Sequence, residues 1–122
     1  MLKDREKDEV WCNALREQGV NVDKALERMK GNAAAYRDFL IEFLTDPDFA
    51  SLEEAVKAGN VQAAFDYAHG LKGMAANLGL DAVCHKINVL VEILRAEQPK
   101  GAAEALGEVM AACTDVTRLL HP

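Results

Sequence analysis

The residues of this chain best suited to chemistry are His69, Lys72 and Gly73, in the run Ala68-His69-Gly70-Leu71-Lys72-Gly73. Residues at i, i+3 and i+4 share one face of a helix, so an imidazole, an ammonium and a bare backbone position should meet at one surface spot. With an ordinary pKa near 6.5, a histidine is largely neutral at pH 7. One ring nitrogen then offers a free lone pair, which makes it a competent nucleophile toward an activated phosphoryl group. Lys72 could offset the negative charge of that group in transit, and Gly73 leaves nothing in the way of the donor. The sequence shows no Walker-type loop, no kinase glycine-rich loop and no acidic metal cluster, so the phosphoryl group and any Mg²⁺ are expected from a partner.

Histidine chemistry of this kind needs a rigid helix, and the chain should supply one. A segment from Lys3 to about Gln18, stopped by Gly19, reads as a helix docking through Val10, Trp11, Ala14 and Leu15. Asn21 or Asp23 caps a short helix carrying Val22, Ala25, Leu26 and Met29, which Gly31 ends. A longer one follows Asn32, with Tyr36, Phe39, Leu40, Phe43 and Leu44 on its apolar stripe, and stops at Asp46-Pro47. Ser51-Leu52-Glu53-Glu54 matches a capping box for another short helix, closed by Gly59.

Asn60 then caps the central helix, whose inward face is Val61, Ala64, Phe65, Ala68, Leu71, Ala75 and Leu78. On a helical wheel His69 lies about 200° from Leu71. That places it outward with Gln62, Asp66, Gly73, Ala76 and Asn77. Gly79 ends this helix, and Asp81 opens an antiparallel neighbour with Val83, Ile87, Leu90, Val91 and Leu94 inward. After a break at Pro99 to Gly101, a last helix buries Leu106, Val109, Met110, Cys113, Val116 and Leu120. No stretch alternates with period two. The expected fold is all-α: an antiparallel up-and-down four-helix bundle with the short N-terminal helices packed on one end, in a single domain spanning 1–122.

Composition narrows the function. A net charge of −6 over 122 residues argues against a nucleic-acid site, which needs a concentrated basic face. Cys12, Cys84 and Cys113 are widely spaced, giving neither a disulfide framework nor a zinc pair, and a reducing cytoplasm is the simplest setting. The charged start has no secretory apolar run, and no stretch is long and apolar enough for a membrane span. His85 and His121 lack metal-ligand spacing with a carboxylate or a cysteine and read as surface residues. Gly70 and Gly73 have an alternative explanation, close approach of a second helix. At the level of the whole chain, a non-catalytic helical module that binds or inhibits a partner protein stands beside the phosphocarrier reading. A bundle that binds a ligand or metal is weaker, because no convergent polar set is expected inside the core.

The run from Ala68 to Gly73, followed by Asn77-Leu78-Gly79, resembles the signature of the histidine-containing phosphotransfer (HPt) domains of two-component phosphorelays. Upstream, Val22-Asp23 with Ala25-Leu26 and Arg28, the helix from Tyr36 to Phe43, and Ala58-Gly59-Asn60 are also similar to that family. The resemblance covers roughly residues 20 to 96. It implies that His69 is phosphorylated, that Lys72 stabilises the phosphoryl group and that Gly73 admits a receiver domain's aspartate, with Gln62, Asp66, Gly70, Ala76 and Asn77 around them meeting the partner. It also implies a monomeric cytoplasmic carrier whose partners are receiver domains, including those of hybrid histidine kinases, and which has no cofactor of its own, Mg²⁺ being the receiver's. Leu90 and Val91 stand where family members often have a polar residue beside the histidine. Hairpin geometry about Gly79 makes Asn88 or Glu92 the residue expected to orient the imidazole.

Overall fold

The computed structural model describes residues 3–97 and 100–121; Pro99 lies outside them. Among the described residues there are seven helices: α1 (Asp4–Glu17), α2 (Val22–Arg28), α3 (Ala33–Leu44), α4 (Asp48–Lys57), α5 (Val61–Asn77), α6 (Asp81–Arg95) and α7 (Ala102–Leu120). No strand occurs among those residues.

Their ends are written in the sequence. The side chains of Asn21, Asn32 and Asn60 accept the backbone N–H groups of Lys24, Ala35 and Ala63, opening α2, α3 and α5. The turn into α6 passes through Gly79 at φ 73°, where any Cβ would stand 2.4 Å from the Asn21 carbonyl oxygen. That close approach lets the Asn21 N–H donate to the Gly79 carbonyl at 2.9 Å, tying the start of α2 to the turn after α5.

The helices form a bundle with four walls. α5 packs against α4 and α6, and α7 packs on α6 and closes the ring by touching α3 and α4. α3 and α4 act as one wall broken at Pro47, bridged by an edge-to-face contact of Phe43 and Phe49 with centroids 5.3 Å apart. Leu40, Leu52, Leu71, Ile87, Leu90 and Val109 fill the interior from all four walls. α1 lies on α7, and its Trp11 sits 6.0 Å from the Tyr36 ring, with the Arg37 guanidinium 5.6 Å from the indole. Arg37 also donates to the Leu120 carbonyl, so one side chain joins α1, α3 and the end of α7.

Four expectations need correction. Val10 faces solvent, and Cys12 takes its place in the core, because the buried side of α1 runs through Trp11, Cys12 and Leu15. Phe39 is 49% exposed and Met110 38%, each lying at the margin of its helix's apolar stripe. Ser51 starts nothing: α4 opens at Asp48, where Pro47 presets the first turn and the Asp46 carboxylate accepts the Asp48 N–H at 2.8 Å.

Candidate functional site

His69 stands in the middle of α5, which spans seventeen residues, so neither frayed end reaches it. Ala64, Ala68, Leu71 and Ala75 bury one face of this helix against α4 and α6. The opposite face is open: Gln62, Asp66, His69, Gly70, Gly73, Ala76 and Asn77 are all exposed, and Lys72 is half-buried beside them. All eight residues expected on this face are therefore brought together.

The two glycines answer a specific question. A Cβ built at Gly70 or Gly73 meets nothing within 4 Å. Neither glycine accommodates a neighbouring helix, so close helix packing does not explain them. Each costs helix stability of roughly 1 kcal/mol relative to alanine. The space beside His69 is open to an incoming molecule.

Among the described residues Lys72 forms no ion pair, so its ammonium is available to an anion at this face. Three other polar residues of this face are engaged. Gln62 donates to the Asp66 carboxylate at 3.0 Å, one turn along the helix. Arg28 of α2 donates to the backbone and side-chain oxygens of Asn77, at 3.1 and 3.4 Å, which fixes the last turn of α5. Deeper in, the Tyr36 hydroxyl donates to the Leu78 carbonyl at 2.7 Å, so the end of α5 is held from both α2 and α3.

The expected orienting contact on the imidazole has a different form. Neither Asn88 nor Glu92 hydrogen-bonds His69, and Glu92 instead faces Arg95, with its carboxylate 3.6 Å from Nε. The imidazole stacks on Phe65, with centroids 5.7 Å apart and planes 21° from parallel. The apolar pattern of α5 places Phe65 on the inward face, and its i, i+4 spacing to His69 is the sequence signal for this stack.

Beside the histidine face runs a largely apolar groove between α2, α3 and α5, lined by Met29, Phe39, Phe43, Met74 and Leu78 together with Arg28, Glu42 and Asn77. Phe39 and Met74, 49% and 37% exposed, form its rim. No group of three or more His, Cys, Asp or Glu side chains among the described residues is placed to hold a metal ion. No helix among them is long and apolar enough to cross a membrane.

Comparison with protein families matches residues 34–120 to the Hpt domain, from the start of α3 to the end of α7. Compared with the span read from sequence, the match starts later and takes in the last helix. Neither the curated proteins nor the solved structures yield a match. A match over more than half the chain, on an all-helical bundle that presents an exposed histidine, places the protein in the Hpt domain family, whose members serve histidine phosphotransfer in two-component signalling.

Proposed function

We propose that this protein is a phosphocarrier that accepts a phosphoryl group on His69 from a receiver-domain aspartyl phosphate and passes it to another receiver. The observation that carries the reading is an exposed imidazole on a rigid helix, with an unpaired lysine and an unobstructed glycine on the same face. In the forward step a ring nitrogen attacks phosphorus. The N–P bond forms as the P–O bond to the aspartate breaks, and the carboxylate leaves with the electron pair. Lys72 offsets charge on the equatorial oxygens during transfer. The receiver contributes the Mg²⁺ and the acidic cluster that holds it, so this chain acts as carrier and not as an independent catalyst.

The receiver docks across the outer face of α5 and onto the Phe39 and Met74 rim, which adds apolar area to a polar centre. A relay must release its partner, so the complex is transient. α1 belongs to the carrier unit, since Trp11 and Leu15 complete its core.

The test mixes the protein with a receiver preloaded with labelled phosphate and Mg²⁺. Acid-labile label should appear on the wild type and not on His69→Gln. If label stays on the receiver for every partner that binds, the module blocks its partners without carrying phosphate, and the proposal fails.

A further inference from the structure

Phosphoryl transfer to an imidazole is helped when the ring is held, yet among the described residues no side-chain hydrogen bond holds this one. Its neighbour is Phe65, one helical turn earlier. Helix side chains lean toward the N-terminus, so the imidazole is carried over the ring at i−4. A centroid separation of 5.7 Å with nearly parallel planes lies within the range of favourable aromatic pairs. Phe65 packs against the core as a half-buried residue, and the Arg95 guanidinium of α6 lies 5.6 Å from its centroid. Glu92 in turn pairs with Arg95. A chain of contacts therefore runs from α6 to the histidine through an aromatic ring.

Resting on the reading of His69 as the phosphoryl acceptor, we infer that Phe65 is a positioning residue for the transfer, doing through its ring face what a hydrogen-bond partner would otherwise do. Two physical effects follow. Stacking restricts rotation of the imidazole, so less freedom is lost on reaching the attack geometry. The second effect is electrostatic. A neutral imidazole that attacks phosphorus through one nitrogen keeps its proton on the other, so the ring becomes positive as the N–P bond forms and stays so until that proton passes to water. The face of a phenyl ring carries negative quadrupole density and attracts a cation. The Phe65 contact thus strengthens as the reaction proceeds, which is the condition for a contact to speed a chemical step.

The experiment compares wild type, Phe65→Leu and Phe65→Tyr, with Arg95→Gln as a variant that leaves Phe65 in place. Two phosphodonors are used: phosphoramidate alone, and a phosphorylated receiver with Mg²⁺. The spectroscopic readout is the NMR shift of the His69 ring protons, which the phenyl ring current displaces in the wild type. Phe65→Leu should abolish that displacement and lower the first-order rate at saturating receiver by roughly three- to tenfold, from the strength of such pairs. The receiver concentration giving half the maximal rate should be unchanged. Phe65→Tyr should restore both signals, and Arg95→Gln should give a smaller loss in the same sense.

Equal rates for wild type and Phe65→Leu with both donors, once the shift change shows the stack is gone, would overturn the role of Phe65 while leaving His69 as acceptor. Wild-type ring protons without any displacement would also overturn it. A wild type that forms no phosphohistidine with either donor would bring down the carrier reading and this inference together.

Discussion

Gly73 is the position where stability and transfer should move in opposite directions. It lies inside α5 in helical conformation, and an added Cβ meets nothing within 4 Å. Gly73→Ala should therefore gain only the helix-propensity difference, about 0.5–1 kcal/mol, much of it by restricting the unfolded chain. The Gly70→Ala and Gly73→Ala pair should gain about 1–2 kcal/mol in total. With an unfolding entropy of about 2 cal/mol/K per residue, a chain of this length shifts its melting temperature by roughly 4 °C per kcal/mol. The double variant should thus melt roughly 4–8 °C higher by calorimetry or circular dichroism. Transfer should respond in the other sense. A branched side chain at position 73 stands where the receiver must bring phosphorus to about 3–3.5 Å from the attacking nitrogen. A displacement of about 1 Å costs on the order of 10²-fold, so Gly73→Leu should lose at least that much in single-turnover transfer while keeping its helix content. A Gly73→Ala protein that melts lower than wild type would mean the glycine relieves a packing clash. A Gly73→Leu protein that transfers at the wild-type rate would refute the access argument.

Three further outcomes follow from the structure. Gly79→Ala should cost about 2–4 kcal/mol, because the new Cβ is strained at φ 73° and meets the Asn21 carbonyl at 2.4 Å, disturbing the hydrogen bond there; Gly59→Ala, at φ 69° with no neighbour, should cost about 1 kcal/mol. Equal denaturant midpoints for the two variants would contradict this. Tyr36→Phe should cost about 1–2 kcal/mol by leaving the Leu78 carbonyl without its donor, and should speed amide exchange in the last turn of α5. Alkaline pH should destabilise the fold. Burial pushes the Cys113 thiol up to about 11 from an ordinary 9 and raises the Tyr36 hydroxyl further still. Both groups are neutral when protonated, so their stabilising contribution is full below the unfolded pKa and is lost as pH climbs through the folded one. Stability should fall from about pH 9 upward, and Cys113→Ala should flatten the first part of that fall, between about pH 9 and 11.

Much of the fold was legible because its punctuation is local. Asn21, Asn32 and Asn60 open helices through contacts within three residues, and Gly19, Gly31, Gly59 and Gly79 stop them at positive φ. The outward direction of His69 was also legible, since it depends only on helical period and on the apolar residues opposite. What failed depended on distant partners or on competing local signals. Phe39 has the type of a core residue, but the bundle leaves it at the groove rim. The Ser51 capping box is outcompeted by Pro47 and Asp46, which open the helix four residues earlier. Hairpin geometry points to α6 for a neighbour of the imidazole, but Glu92 there is taken up by Arg95, and the ring stacks one turn back on its own helix, on Phe65.

The Asn21 to Gly79 hydrogen bond and the Arg37 contacts have a bearing on transplanting this unit into other proteins. The segment by which the family is recognised begins at residue 34, yet the object that closes physically begins earlier. A graft cut at that boundary would carry the histidine helix but leave the Tyr36 ring without Trp11, the turn after α5 without its brace from α2, and Arg37 without the indole beneath it. A graft that keeps all of these contacts runs from α1 through α7. A chimera spliced within the loop between α2 and α3 should expose apolar surface at the very end of the bundle that steadies α5, and lose the rigidity on which presentation of the imidazole depends.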